Sequence, residues 1–471
     1  MQGNGLACIL FTVNPFAGGQ PAVAWVASDQ GFGDTSTLAG WLPLTIQLVA
    51  GLVLALAIGP GSRRWWLRRM PIVAVAAILT TLAVRWYVVS EGLTGDPAPL
   101  LFWVWIGLTG AAATALVVGW RSAHWWRRIA YAASIPLCLL CAVLLLNVWV
   151  GYVRTVEAAW NFVTVGPPPN QADLATVKAM ADDGIMPQKG RIVPVSISSE
   201  ASGFKHRGEL VYLPPAWFRS VPPPRLPVVM LIGGAFGTSA DWLWAGNAQK
   251  VADAFAIAHG GNAPVLVFVD KGGAFNKDTE CVNATRGNAA DHLTKDVVPF
   301  MISTFGVSAD SSNWGIAGWS MGGTCAVTLT VMHPELFSAF VDIDGDIGPN
   351  AGTKAQTVER LFSGDEAAWA SFDPTTVMSR HGRYTGVSGV FAVQGPVDLG
   401  DRDVHAVAAR SLAETASANG IACSILEIPG KHDWSLGAAA FERTLAWLAG
   451  QLHTPGVPLA PLPGKPLVLQ P

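Results

Sequence analysis

The sequence predicts an α/β domain with a mostly parallel sheet, carried behind a bundle of four membrane-spanning helices. Three observations predict it. Short apolar strand-like runs alternate with helix-like runs from about residue 192 to 452. The chain is 51% hydrophobic and only 13% charged, and the apolar excess is crowded before about residue 152. A Gly-Trp-Ser-Met-Gly pentapeptide, residues 318–322, sits between a β-type run and a small-residue helical run.

In chain order, residues 1–38 read as an N-terminal tail. Leu6 to Val13 is apolar, but it is short and has no basic residues before it, so it makes a poor signal peptide. Residues 39–152 hold four apolar stretches, about 39–60, 70–89, 100–120 and 129–150, each near the roughly 20 residues a bilayer core demands. Arg63, Arg64, Arg68 and Arg69 crowd the first connection, and Arg121, Arg127 and Arg128 the third. The second, around Glu91 and Asp96, carries no Lys or Arg. Basic loops stay in the cytoplasm, which sends both termini and the body to the outer face of the cytoplasmic membrane. Arg85 is the one ionisable exception within a span and is read as snorkelling to the interface. The spans therefore read as an anchor and not as a transport path. Twenty tryptophans suit interfacial belts, and a net charge of −3 gives no reason to expect a nucleic acid partner.

Residues 153–191 read as a linker. Pro167-Pro168-Pro169 stops any helix, and a short helical run follows near 172–182. The catalytic body, residues 192–452, offers eight strands: 192–197, 210–213, 228–232, 265–269, 314–317, 339–343, 389–393 and 423–428. The later ones lack alternation, as strands buried on both faces should. Helices read at 241–258, 289–305, 323–332, 354–362, 404–418 and 437–452, and residues 453–471 as a Pro-rich, poorly ordered tail. Two hairpin-like strands before the alternation, and eight in all, match the α/β-hydrolase layout.

A serine hydroxyl needs a base to become a nucleophile. Ser320 is the candidate, at the strand–turn–helix junction of the pentapeptide. His432 is the candidate base, in the loop after the last strand, where that layout puts it. The acid is expected after the penultimate strand. There Asp398 is the first choice, with Asp401 and Asp403 as rivals that could instead cap the next helix. A rival place for the acid is the Asp342-Ile343-Asp344-Gly345-Asp346 run after the preceding strand, which reads rather as shaping the acyl pocket or a turn. A tetrahedral oxyanion needs N–H donors. Met321 N–H at the helix start and Ala235 N–H after Gly233-Gly234 are expected to supply them, with Phe236 next after Ala235.

These residues together resemble the bacterial esterase family that includes esterase D and the antigen 85 mycolyltransferases. The likeness covers about 192–452 and rests on Gly-Trp-Ser-Met-Gly-Gly at 318–323, Gly233-Gly234 before Ala235, and His432-Asp433-Trp434, similar to the family's His-Ser-Trp. It implies serine acyl chemistry on esters, in one branch transfer of a mycoloyl group, and an actinobacterial member anchored in the membrane. That branch uses a glutamate as the acid, whereas only aspartates follow the penultimate strand here.

With an exported body, Cys281 and Cys325 are a candidate disulfide pair tethering the 278–281 loop over the site. Cys138 and Cys141 read as packing residues in a span. Asp278, Glu280, Asp291, His292 and Asp296 show no zinc-ligand spacing and read as a solvated loop and helix face, so neither metal nor cofactor is expected. The expectation is a membrane-anchored extracytoplasmic serine esterase or acyltransferase acting on ester or glycolipid substrates. The alternative is a non-catalytic envelope scaffold on the same fold.

Overall fold

The computed structural model describes residues 35–59, 63–90, 98–164, 168, 170–274, 277–395 and 403–466. Four helices are long and apolar enough to cross a membrane: α1 (Trp41–Ile58), α2 (Trp65–Ser90), α3 (Leu100–Gly119) and α4 (Trp125–Val150). Small residues let them approach. A Cβ at Gly107 would meet Thr81 Oγ1 at 2.8 Å, and one at Gly110 would run into Thr80. Ala50, Leu54, Ala112, Cys138 and Cys141 form a buried seam between α1, α3 and α4. Leu48, Leu79 and Trp86 point outward and are exposed, as lipid-facing side chains are. Arg127 donates to Ala57 O at 2.8 Å, which brings the first and third connections to one end of the bundle.

The C-terminal body is built on a single nine-stranded sheet. Its strands are β1 (Arg191–Val195), β2 (Glu209–Leu213), β3 (Val228–Ile232), β4 (Val265–Phe268), β7 (Trp314–Trp319), β8 (Ala339–Ile343), β9 (Ser388–Gly395), β10 (Ala422–Pro429) and β11 (Lys465–Pro466). A separate small hairpin pairs β5 (Asn283–Ala284) with β6 (Gly287–Asn288). The order is β1-β2-β4-β3-β7-β8-β9-β10-β11. β4, β3, β7, β8, β9 and β10 run parallel; β2 is antiparallel to β1 and β4, and β11 to β10. This is the α/β-hydrolase fold, and the eight expected strands are all present. The ninth corrects the reading of the tail as poorly ordered: Lys465 and Pro466 pair with Ile425 and Ser424 on the open edge of β10.

Both faces of the sheet are covered, which is why the central strands are apolar throughout. On β3, Val228, Met230 and Ile232 enter one core with Ile316 and Phe391, while Val229 and Leu231 enter the other with Val341 and Trp434. The helices that matter below are α5 (Met321–Met332), α6 (Val404–Ala418) and α7 (Trp434–Gln451). The expected helix at 241–258 is two pieces, Asp241–Trp244 and Ala248–Ala258, and that at 289–305 opens into a π turn over His292–Val297.

Candidate active site

Chain order reverses direction across the sheet at β3, which pairs with β4 on one side and β7 on the other. The loops leaving β3 and β7 therefore part at their carboxyl ends and leave a crevice there, the usual ligand position in such sheets. Ser320 stands at that point. Its backbone (φ 57°, ψ −126°) lies outside the regions open to L-residues, and its N–H donates to Ile343 O at 2.8 Å. The flanking glycines are sterically required. A Cβ at Gly318 would strike the Gly322 carbonyl, and one at Gly322 would strike Ile232 O.

His432 occupies the loop between β10 and α7. The next residue, Asp433, caps α7 by accepting from Ser435 N at 2.8 Å and Leu436 N at 3.1 Å, which fixes the loop. His432 Nε2 lies 3.0 Å from Ser320 Oγ. The Trp319 and His405 rings both stack on the imidazole, at centroid distances of 5.3 and 4.3 Å.

The carboxylate that meets His432 is Asp344, whose Oδ2 lies 3.1 Å from Nδ1. This departs from the expectation of Asp398. Asp398 and Asp401 lie outside the described residues. Asp403 caps α6 through His405 N and Ala406 N and also accepts from Gln394 Nε2. The reason for Asp344 is sheet register. β8 and β9 are parallel neighbours, so the residue just past β8 bonds to β9: Asp344 N–H donates to Ala392 O at 2.8 Å, and its Oδ1 accepts from Gln394 N at 3.0 Å. These bonds and a left-handed turn (φ 51°) turn the buried carboxylate toward the last loop. Asp342, two residues earlier, is buried beneath α5 and accepts from Gly345 N at 2.8 Å. Burial, with the nearby Asp344 adding to it, pushes its carboxyl up to about 8.

Of the expected oxyanion donors, Met321 is the first residue of α5, where N–H groups have no intrahelical partner. Ala235 lies in the 233–237 loop. This loop passes close to Ser320: a Cβ at Gly234 would meet the Trp319 ring at 2.8 Å and Ser320 Cβ at 3.5 Å. It is held from behind. Arg207 donates to Gly237 O at 2.8 Å and pairs with buried Asp270 at 2.6 Å. Asp241 accepts from Thr238 N at 3.0 Å and from the Tyr152 hydroxyl at 2.8 Å.

Cys281 and Cys325 are joined as a disulfide, Cα atoms 5.7 Å apart, so the 278–281 segment is tied to α5. Asp278 and Glu280 beside it are buried; burial first, then the Asp278 carboxylate, pushes the Glu280 carboxyl well up. The last of the four long apolar helices also reaches the site. Gly151 ends α4 against Asp433, where a Cβ would come within 3.1 Å of Asp433 Cβ, and Arg154 donates to Trp434 O at 3.1 Å.

Sequence reasoning ranks one neighbour of His432 too low and misses another. Asp344 stands in the rival acid run after β8, and its signal is an Asp-Gly pair at a strand end. His405 falls within the expected helix 404–418, and no local pattern marks it.

The family described as "Putative esterase" (Esterase) matches residues 205–448. An uncharacterized protein of Corynebacterium glutamicum is 28% identical over 420 residues, which covers 86% of this chain and 94% of that protein. Among solved structures, a ferulic acid esterase is similar at 18% identity and a TM-score of 0.45, over 56% of this chain and 99% of that one. MPT51 (FbpC1) of Mycobacterium tuberculosis is similar at 17% identity and a TM-score of 0.37, over 55% of this chain and all (100%) of that one.

Proposed function

This chain belongs to the esterase family and is a carboxylic ester hydrolase, and from that premise we propose that it is a membrane-anchored serine esterase or acyltransferase working through Ser320, His432 and Asp344. The observation that carries the proposal is the continuous chain Ser320 Oγ, His432 Nε2, His432 Nδ1, Asp344 Oδ2, with separations of 3.0 and 3.1 Å across the ring. His432 takes the Ser320 proton as Oγ attacks the ester carbonyl, and returns it to the leaving alcohol. Asp344 holds the proton on Nδ1, so that Nε2 keeps its lone pair for the hydroxyl. The N–H groups of Met321 and Ala235 receive the tetrahedral oxyanion. Water or a sugar hydroxyl, activated by the same imidazole, then releases the acyl group from Ser320.

The substrate is an ester of lipid or envelope glycolipid. Supporting this, α4 ends against the residue after His432, which holds the crevice next to the membrane-spanning bundle. The body faces the outside of the cytoplasmic membrane. The arginines of the first and third connections, gathered at the opposite end of the helices from the body, support that orientation.

The test is labelling of the full-length protein by a fluorophosphonate probe. Wild type labels, and Ser320→Ala and His432→Ala do not. An unlabelled wild type would point to a non-catalytic scaffold, and labelling that survives in Ser320→Ala would remove the nucleophile. Adding trehalose to the acyl-enzyme separates transfer, mycoloyl transfer included, from hydrolysis: an acylated sugar means transferase.

A further inference from the structure

At the opposite flank of the sheet, three side chains from distant parts of the chain converge. Glu209 opens β2 and is buried. Its Oε1 lies 2.6 Å from His206 Nδ1 and 3.2 Å from His292 Nε2. The two imidazoles stack, with centroids 4.1 Å apart. Their other nitrogens are also engaged: His206 Nε2 is 2.8 Å from Ile197 O, and His292 Nδ1 is 3.2 Å from Asp296 Oδ2. The Arg207 carbonyl lies 2.6 Å from His206 Nδ1. All four ring nitrogens thus face oxygen acceptors.

Hydrogen-bond arithmetic makes this arrangement informative. A neutral imidazole carries one N–H, so two rings supply two donors for four acceptors. The outer pair, toward Ile197 O and Asp296, are well placed to take them. That leaves two nitrogen lone pairs converging on a carboxylate, which is repulsive unless a cation lies among them, either a metal ion or a second ring proton. Independently, Glu209 Oε2 is fully buried and has no hydrogen-bond partner, a costly state for a carboxylate oxygen. The helix carrying His292 and Asp296 opens into a π turn there, an irregularity often found where a helix serves a site.

We propose that His206 Nδ1, His292 Nε2 and the Glu209 carboxylate bind a divalent transition-metal ion, Zn²⁺ by the nature of the ligands, with the Arg207 carbonyl available as a fourth donor. The three ligand groups lie within 4.8 Å of one another. A tetrahedral centre with bonds of about 2.1 Å spaces its ligands about 3.4 Å apart; the 3.2 Å between His292 Nε2 and Glu209 Oε1 is close to that, and the 2.6 Å between His206 Nδ1 and Glu209 Oε1 would have to open by about 0.8 Å as the ion enters. Ile197 O and Asp296 orient the two imidazoles from behind, as outer partners of metal-bound histidines do.

The site is separate from the Ser320 centre. β2 is three strand positions from β7, about 14 Å at the usual spacing, and none of the ligands touches Ser320, His432 or Asp344. Its role is positional. Between two ligands stands Arg207, which grips Asp270 and Gly237 O in the 233–237 loop. A bound ion would fix the 206–209 segment, and through Arg207 the loop that carries Ala235.

The full-length protein, purified in detergent and dialysed against metal-free buffer, tests this. Elemental analysis should find about one zinc per chain, and X-ray absorption at the zinc edge a nitrogen/oxygen shell with imidazole scattering. Competition with a chromophoric chelator gives the affinity. Glu209→Gln should abolish stoichiometric zinc. Asp296→Asn, which keeps all three ligands, should weaken binding roughly 10- to 100-fold. Wild type that retains no metal, and binds Zn²⁺, Ni²⁺ and Mn²⁺ no more tightly than surface carboxylates do, overturns the proposal and leaves a proton-bridged cluster. So does zinc whose affinity and absorption spectrum are unchanged in Asp296→Asn. Should Glu209→Gln fail to fold, the wild-type spectrum and the Asp296→Asn affinity still decide.

Discussion

Replacing Asp344 by Asn separates the two candidate acids most cleanly. The new amide has one oxygen and one NH2 where the carboxylate had two acceptors. One position must still accept from Gln394 N, 3.0 Å away, so the oxygen goes there. The NH2 is then turned to His432 Nδ1, which at 3.1 Å becomes an acceptor. A neutral imidazole that accepts at Nδ1 carries its proton on Nε2, where it points at Ser320 Oγ and cannot take the hydroxyl proton. This is a tautomer trap, and in the serine protease triad the same change costs about 10⁴ in kcat, or about 5.5 kcal/mol in the barrier. Folding should survive, because position 344 has φ 51° and Asn is among the residues that accept the left-handed region. The assay is hydrolysis of a p-nitrophenyl acyl ester by the full-length protein in detergent, with Asp398→Asn alongside. We expect Asp344→Asn to lose about four orders of magnitude in kcat and Asp398→Asn to stay within about threefold of wild type. A variant at 344 keeping a tenth of the activity while the one at 398 loses a thousandfold would refute the reasoning.

Other outcomes follow from the same geometry. Gly322→Ala drives a Cβ into the Ile232 carbonyl at the centre of the sheet and should cost about 3 kcal/mol or more, read as a lower urea midpoint; an unchanged midpoint contradicts the elbow packing. Asp342 holds its proton in the folded state up to about 8, against an ordinary value of 3.8. Its contribution to stability is therefore complete below about pH 4 and is lost as pH rises toward 8. Asp342→Asn should flatten the decline in urea midpoint between pH 5 and 8, and a slope identical to wild type would show that another group is responsible. Cys281→Ser opens a disulfide that closes 44 residues and should lower stability by about 4 kcal/mol on chain entropy, visible as a drop in Tm of about 10 °C; no drop would mean that the bond does not form in the purified protein.

Much of this was legible in the sequence where the cause is local. The elbow reads from a β-run, small residues and a helix start within a dozen positions, because sterics around Ser320 permit little else. His432 reads from its place between a strand end and a helix cap. The eight main strands read from apolar runs that two covered faces demand. Asp344 did not, because its reach to His432 depends on how β8 and β9 pair. That pairing, and the turn at Asp344-Gly345, decide which of several aspartates arrives. The cluster of His206, Glu209 and His292 was hidden for a related reason. His206 and Glu209 stand three residues apart, but the third member, His292, follows 83 residues after Glu209 in a π turn, so no local ligand spacing joins all three. β11 escaped because two residues in a Pro-rich tail carry no periodicity, and only the open edge of β10 gives them a partner.

The junction at Gly151 has a consequence for how this enzyme would meet its substrate. With α4 ending against Asp433, the residue after His432, and Arg154 bonded to Trp434 O, the crevice is held at the end of the bundle. The reactive centre would ride at one fixed height and search an area instead of a volume. Turnover should then follow how many esters occupy the surrounding leaflet, and esters dissolved in the bulk phase would go largely unseen.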